Sequence, residues 1–586
     1  MTGYQFKKAE LITKKETIDG VEMETIYRKA LTPVTPEYLA GLPLEKREGL
    51  GAAPALNFRI YSPAEGIICE QDVPMELRDG VTIYSDIYRP DTVAKVPVII
   101  AWSFFGKRPF EGGANYQLIG VPPQTVSDMA KFEGPDPGYW CRNGYAIANV
   151  DIRGCGRSEG DLRFWGQEYG LDGYDFIEWI ACQSWCNGKV GMAGNSGLTM
   201  SQWRIAATSP PHLACIAPWE GTGDYYREAM MEGGIPAFGF NDDMLSKLVG
   251  PGYLDDYVAM LVKYPFIDNP YWQDKIPKWK EIMVPAYVTV GWSHHHLRGT
   301  IEGFRRIKSR KKWLRCHRDF EWPDAYTPEN LEDLKKFFDR YLKDVNNGWE
   351  MTPRVRIDVM DAYDFDIFHN KPEESFPIKR TEYKKLYLDA KRCSMTFGQV
   401  AEEASVSYDA ENGSVNFDMK FDEDTEVTGL ISLHMWVEAK GHDDMDLFVT
   451  VKKLDAEGNF LPHNVLGEPH PGTWGKLRVS RRALDPRLSS EHQPVLAHTK
   501  DEKLSPGEIV PVDIEICPTS RFFHAGEQIR LEVSPKYLRD PGWFEYYAWD
   551  TDNKGEHVIH TGARYESFLE IPVIPPKYAA GGSIYR

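Results

Sequence analysis

The chain runs to 586 residues, 42% of them hydrophobic and 26% charged. That balance fits a soluble globular protein, and the length exceeds what one hydrophobic core supports, so two or three domains are expected. A net charge of −19 excludes a main role on nucleic acid or anionic membranes, because phosphate binding needs clustered Lys and Arg. The opening MTGYQFKKAELITKKE lacks the apolar stretch of a signal peptide, and no apolar run is long enough to cross a bilayer, which points to a cytoplasmic protein. The nine cysteines are odd in number and scattered, as expected of buried free thiols; the close pair Cys182 and Cys186 has no matching ligands for zinc.

Residues 1 to about 65 are charge-rich and punctuated by Pro33, Pro36 and Pro43, and read as an extension wrapped on the rest of the chain. From Val73 to Tyr88 two strands flank the turn Asp79-Gly80, a hairpin signal. Val96 to Trp102 and Tyr145 to Val150 are continuous apolar runs that suit buried parallel strands. A helix is predicted from Gly170 to Ala181, a strand over 190–193 and a helix over 200–207. Strands alternating with helices indicate a mostly parallel sheet covered on both faces. Between about 221 and 281 strand character is lost, and glycines, prolines and aromatics suggest an inserted helical cap. Strands return at 286–290 and 312–315, with helices at 299–308 and 328–343, which closes this domain near residue 345. After Gly348 helical periodicity stops. Short strands at 385–388, 427–438, 446–454, 510–517, 528–533 and 567–573 predict an all-β sandwich over 346–586. The acidic run Asp443-Asp444-Met445-Asp446 is expected to be a solvated turn.

Gly194-Asn195-Ser196-Gly197 lies between a predicted strand and a predicted helix. A serine at such a sharp turn projects its hydroxyl above the sheet edge, and the helix N-terminus aims its dipole and free amides at developing negative charge. The full G-x-S-x-G pattern is not met, since Leu198-Thr199 follow, and a bare Gly-x-Ser also suits a helix cap.

The context resembles the cocaine-esterase-like CocE/NonD hydrolases, with X-prolyl dipeptidyl peptidases and α-amino-acid ester hydrolases as wider relatives. The resemblance is carried by Asp151-Ile-Arg-Gly154-Cys-Gly156-Arg-Ser-Glu-Gly160, the Ser196 turn, Arg298-Gly299-Thr300, Lys312-Trp-Leu-Arg-Cys-His317, Glu321-Trp-Pro-Asp324 and Arg482-Ala-Leu-Asp-Pro486. It implies an α/β-hydrolase fold with a helical cap and a C-terminal jelly roll, in the order read above. It also implies a serine hydrolase, an esterase or amidase working through an acyl-enzyme without a cofactor, with Ser196 as nucleophile. His317 matches the position of the family's histidine and follows Ser196 in the order this fold requires.

Two positions depart from the family pattern. Where the acid is usually an Asp after Gly-Trp-x, this chain has Gly291-Trp292-Ser293-His294. The tyrosine that usually serves the oxyanion hole is replaced by Phe105 in Phe104-Phe105-Gly106-Lys107. Glu220, at the end of the strand Leu213 to Trp219, is placed as a relocated acid, as in some haloalkane dehalogenases; Asp319 and Glu321 are alternatives. Backbone amides of Gly197 and of the Phe105 turn are expected to hold the oxyanion. Phe104, Asn195, Trp219, His294 and His296 are expected to line the substrate pocket, and the aromatic richness nearby suggests a small apolar or aromatic ester or amide. Three adjacent histidines, His294 to His296, would point to alternate faces of an extended segment, so no metal is expected. The two departures also admit a second reading, a non-hydrolytic lyase, isomerase or transferase, or an inactive homologue. A carbohydrate-binding β-sandwich protein would leave the nucleophile turn unexplained. A homo-oligomer remains open.

Overall fold

The computed structural model describes residues 4–109, 120–122, 124–537, 549–578 and 584–585. Its first large element is a twisted sheet whose strands lie in the order Arg59–Ala64, Ile67–Glu76, Thr82–Pro90, Ala146–Asp151, Val96–Ser103, Cys186–Asn195, Leu213–Trp219, Ala286–Gly291, Lys312–His317 and Val355–Met360. From Ala146–Asp151 onward neighbouring strands are parallel. The strand Val96–Ser103 is buried along its whole length, which is why it reads as an unbroken apolar run. Helices Gln167–Ala181, Gly197–Ala206, Leu297–Arg306 and Pro328–Leu342 cover this sheet. Apolar residues such as Phe337, Phe338 and Leu342 form the stripe that seats the last of them. This is the α/β-hydrolase fold.

The sheet runs past the expected boundary at 345, because Val355–Met360 pairs in parallel with Lys312–His317 through Leu314 and Val355. No helix follows that strand, so periodicity alone assigned it to the β-rich part. Arg59–Ala64 likewise joins the sheet from within the N-terminal extension. The rest of the extension grips the cap: the hairpin Leu11–Ile18 and Val21–Lys29 adds the cap strand Tyr253–Asp255 to its edge. That strand was not expected in a segment read as helical. The cap's helices are Phe238–Lys247, Tyr257–Lys263 and Pro270–Asp274, preceded by a π-helical turn at Tyr226–Met230.

The C-terminal part is β-rich around its own apolar core, with Leu433, Val437, Ile514, Leu531, Ile559 and Leu569 at its centre. Its longest strand, Thr425–Lys440, pairs antiparallel with Val510–Phe523, Glu556–Thr561 and Phe568–Val573. The segment at Asp443 to Asp446 is not a solvated turn. Asp444 and Asp446 are buried; Asp446 takes both arms of Arg478 at 2.8 and 2.7 Å, and Asp444 accepts the Ser480 amide at 2.9 Å.

Candidate active site

Register brings four chain segments to one end of the parallel sheet. Asn195 lies beside Trp219, Trp219 beside Thr289, and Gly291 beside His317, so the residues that follow these strands converge where open α/β sheets carry their sites. Ser196 occupies the turn between Cys186–Asn195 and Gly197–Ala206 with φ 51° and ψ −114°. A non-glycine residue there stores backbone strain, which the surroundings must hold in place. Its amide donates to the carbonyls of Glu220 at 2.8 Å and Trp219 at 3.2 Å, and its carbonyl accepts the Met200 amide at 2.9 Å. A side chain on Gly197 would lie 2.6 Å from the Phe104 ring, so the pocket wall is built against a bare backbone at that position.

The imidazole that meets the Ser196 hydroxyl is His296. Its Nε2 lies 3.0 Å from Ser196 Oγ. His296 sits in the turn just before the helix Leu297–Arg306, is 3% exposed, and burial pushes its pKa down to about 3, so the ring is neutral near pH 7. Its buried Nδ1 has no hydrogen-bond partner.

His317, placed by sequence as the base, is also at this end of the sheet, but both of its ring nitrogens are directed at partners other than Ser196. Its Nε2 is 2.9 Å from Glu220 Oε1 and 3.5 Å from Asp324 Oδ2, and its Nδ1 is 3.0 Å from the Asp319 carbonyl. Burial opposes the charged form, but the charge of Asp324 and the hydrogen bond and charge of Glu220 outweigh it and raise the pKa. A ring with both nitrogens committed as donors has no lone pair for a serine proton. Glu220 therefore reaches a ring nitrogen of His317 at the distance expected for an acid, in a pair that meets Ser196 only through the Glu220 backbone carbonyl. Gly291 makes this approach possible: its amide donates to Glu220 Oε1 at 2.9 Å, and a Cβ there would crowd the Asp319 carbonyl at 2.9 Å.

His294, at the position of the family's acid, lies between two carboxylates rather than on the pocket wall. Its Nδ1 is 3.3 Å from Glu220 Oε2 and its Nε2 3.3 Å from Glu321 Oε2. Burial, reinforced by the charges of Glu220 and Glu133, pushes the Glu321 carboxyl well above the usual carboxylate range. Burial raises Glu133 to about 8. Asp319, the other alternative acid, offers its carbonyl rather than its carboxylate to His317. Asn195 is buried beside Glu321, and Trp219 packs edge-on against Tyr326, so neither lines the pocket as expected. Both follow the nucleophile strand's register into the layer beneath the site.

The narrow pocket over Ser196 is walled by Phe104, Phe105, Trp165, Tyr225, Phe240 and Trp549, with His295 and His296 also lining it. Phe104, Phe105, His295 and His296 were legible as site residues; Trp165, Tyr225, Phe240 and Trp549 were missed, since nothing local marks an aromatic as pocket rather than core. The oxyanion hole differs from expectation at one donor. The Phe105 amide donates to Ser103 Oγ at 2.9 Å and is not available to an oxyanion. Gly197, first residue of its helix, has an amide with no acceptor inside the helix.

Two triads among the described residues have metal-ligand chemistry at this site, His294 with His295 and His296, and Glu220 with His294 and Glu321. In the second, His294 presents opposite ring nitrogens to the two carboxylates, so its ring lies between them and the three do not converge on one point.

The X-Pro dipeptidyl-peptidase (S15 family) profile matches residues 79–256, and the X-Pro dipeptidyl-peptidase C-terminal non-catalytic domain profile matches 347–570. The first match includes Ser196 and Glu220 and stops before the three histidines. Cocaine esterase from Rhodococcus sp. is 23% identical over 88% of this chain and 99% of its own length. An α-amino acid ester hydrolase of known structure shares the fold at 16% identity and a TM-score of 0.66, over 89% of this chain and 99% of that chain. A CocE/NonD family hydrolase from Staphylococcus aureus is 36% identical with a TM-score of 0.82, over 87% of this chain and 94% of that one. With that identity and coverage added to the two profile matches, this chain belongs to the CocE/NonD family of hydrolases.

Proposed function

We propose that this chain is a serine hydrolase that cleaves an ester or amide through an acyl-enzyme, with Ser196 as nucleophile and His296 as its base. The observation that carries the assignment is the 3.0 Å contact between His296 Nε2 and Ser196 Oγ on a strained strand-to-helix turn. Ser196 Oγ attacks the substrate carbonyl carbon while its proton passes to His296 Nε2. The carbonyl oxygen becomes an oxyanion beside the Gly197 amide and the positive end of the helix Gly197–Ala206. His296 then returns the proton to the departing alcohol or amine, leaving Ser196 acylated. In the second half-reaction water gives a proton to His296 and attacks the acyl carbon, and Ser196 recovers its proton as the acid leaves.

Glu220 and His317 act in this reading as a positioning pair. Their contact, with Asp324 behind it, fixes the strand ends from which Glu220 supports the Ser196 turn through its backbone carbonyl. The aromatic pocket wall supports a small apolar or aromatic acyl group. Nine cysteines with no disulfide support a reducing, cytoplasmic setting. The antiparallel pairing of Thr425–Lys440 with three later strands supports a jelly-roll winding for the β-rich domain.

The unpartnered His296 Nδ1 favours a second reading, a chain that acylates but turns over poorly, because no carboxylate fixes the tautomer of its base. One experiment separates the two. Wild type, Ser196→Ala, His296→Ala and His317→Gln are each treated with a fluorophosphonate probe and assayed on an aryl ester. The hydrolase reading expects wild type to label and turn over, and both Ser196→Ala and His296→Ala to lose turnover. Labelling without turnover in the wild type selects the impaired reading. Turnover that survives His296→Ala but not His317→Gln, with both variants folded, returns the base to His317.

A further inference from the structure

His294, His295 and His296 do not lie on the extended segment expected of them. They occupy the turn between the strand Ala286–Gly291 and the helix Leu297–Arg306. The His294 carbonyl accepts the Leu297 amide at 3.0 Å and its Nδ1 accepts the His296 amide at 3.3 Å, so the backbone from 294 to 297 is one braced unit. The near end of the turn is held by Trp292, whose amide donates to the His317 carbonyl and whose indole donates to the Asp358 carbonyl, each at 3.0 Å. Ser293 is held from the other domain. Its Oγ is hydrogen-bonded to Nε2 of His463, which stands in the β-rich domain on the short strand His463–Val465. Arg521 forks behind that ring: Nη1 donates to His463 Nδ1 at 2.7 Å and Nη2 to the Leu461 carbonyl at 2.9 Å. Arg521 also marks the seam between the domains, since it pairs with Met360 of the catalytic sheet. Ser293, His463 and Arg521 are all buried.

We propose that His463 is a positioning residue supplied by the β-rich domain: set by Arg521, it holds the Ser293 turn in the curl that brings His296 to Ser196. The hydrogen bonds run in one direction. A guanidinium carries only donors, so His463 Nδ1 must accept, and a ring that accepts at Nδ1 carries its proton on Nε2. Burial pulls the Arg521 pKa down to about 10, which still leaves it charged near neutral pH. His463 Nε2–H therefore donates to Ser293 Oγ, in a buried seam where such bonds are stronger than in water. His296 stands three residues beyond Ser293, and its Nε2 must stay within hydrogen-bond reach of Ser196 Oγ. Displacing a reacting group by about 1 Å can cost up to roughly a hundredfold in rate. Neither Ser293 nor His463 lines the substrate pocket, so the effect falls on kcat rather than on KM.

This role rests on His296 being the base of Ser196. Steady-state kinetics of the whole chain on an aryl ester test it, each variant being checked for native circular dichroism. Ser293→Ala is expected to lower kcat about tenfold while KM moves by less than about twofold. His463→Leu should do the same, and the double variant Ser293→Ala/His463→Leu should lose no more than either single one, because both remove the same link. His463→Gln should recover most of the rate, since its amide offers an oxygen to Arg521 and an N–H to Ser293. An unchanged kcat in Ser293→Ala, whatever its unfolding midpoint, overturns the proposal, and so do losses that multiply in the double variant. His296→Ala separates this failure from failure of the base assignment. If it keeps full turnover while Ser293→Ala loses it, the base assignment falls and takes His296 out of this role, while the Ser293 anchor stands. If it loses turnover while Ser293→Ala keeps it, the base stands and the positioning role of His463 falls.

Discussion

The two buried histidines at the sheet end carry opposite shifts, and this makes the identity of the base a measurable property. Burial alone lowers His296 to about 3, whereas Asp324 and Glu220 overcome burial and raise His317 above its ordinary value. A base must be unprotonated in the free enzyme, so kcat/KM falls as pH drops through its pKa. With His296 as base, the acid limb is expected well below the ordinary histidine range of about 6.5; with His317 it would appear above that range. A profile of kcat/KM from pH 4 to 9 decides between them. The same shifts act on stability with opposite sign. His317 is charged in the native pair, so its contribution is full below about 6.5 and fades as pH rises through its raised native value. His296 is held neutral, so the unfolded chain takes up a proton that the native chain refuses, and stability is lost as pH falls from about 6.5 towards 3. His317→Gln should therefore lower stability most below pH 6.5, as read by urea unfolding, while leaving Ser196 open to fluorophosphonate labelling. The Ser196 turn was legible because strand and helix flank it in sequence. The meeting of Glu220 with His317 was legible too, because both follow strands whose ends must coincide. The His296 contact was not: it depends on how the turn at 292–296 curls over Ser196, and no spacing rule encodes that.

Elements with a strong period were readable throughout, and the misses share a cause. Pro328–Leu342 announces itself by an apolar stripe, and Val96–Ser103 by a run buried on both faces. Tyr253–Asp255 is only three residues long and is a strand because the N-terminal hairpin offers it an edge, which is a long-range fact. Cohesion of hairpin and cap centres on Arg28. Its Nε lies 2.9 Å from Asp256 and its Nη2 2.5 Å from Asp242, and all three side chains are buried. Arg28→Ala would leave two buried carboxylates without their cation, a loss of about 3–5 kcal/mol for broken buried pairs. The expected result is local: hydrogen exchange accelerates across 11–29 and 238–263, while exchange in the central strands Val96–Ser103 and Cys186–Asn195 is unchanged. Uniform acceleration across the molecule would show that the extension supports the whole sheet rather than the cap.

At the scale of the molecule, the β-rich domain is fastened to the catalytic one by several ionic contacts, Lys476 with Glu232 at 2.7 Å and the half-buried Arg298 among them. Arg298, in the helix that follows His296, is held by Glu515 of the β-rich domain at 2.9 Å and by Glu228 of the cap turn at 3.0 Å. Glu228 Oε2 also accepts the amides of Gly223 and Asp224 at 2.7 and 3.1 Å, and burial lifts its pKa to about 7 although Arg298 opposes the shift. Cap, catalytic helix and β-rich domain thus share one charge, and Trp549 of the β-rich domain closes the same pocket wall. Arg298→Ala should cost about 3 kcal/mol near pH 8, because the buried Glu228 carboxylate, and with it the half-buried Glu515, loses its partner. The cost should shrink as pH falls towards 7 and level off below it. Without the guanidinium Glu228 rises further above 7, so just above that value the variant's native state holds a proton that neither the wild type nor the unfolded chain holds, and that uptake offsets part of the loss. Calorimetry is the discriminating measurement. The wild type should unfold with the two domains coupled, and Arg298→Ala at pH 8 should split the trace into two transitions that draw closer together near pH 7. A variant that unfolds as the wild type does at every pH would show that apolar packing, not this shared charge, couples the domains.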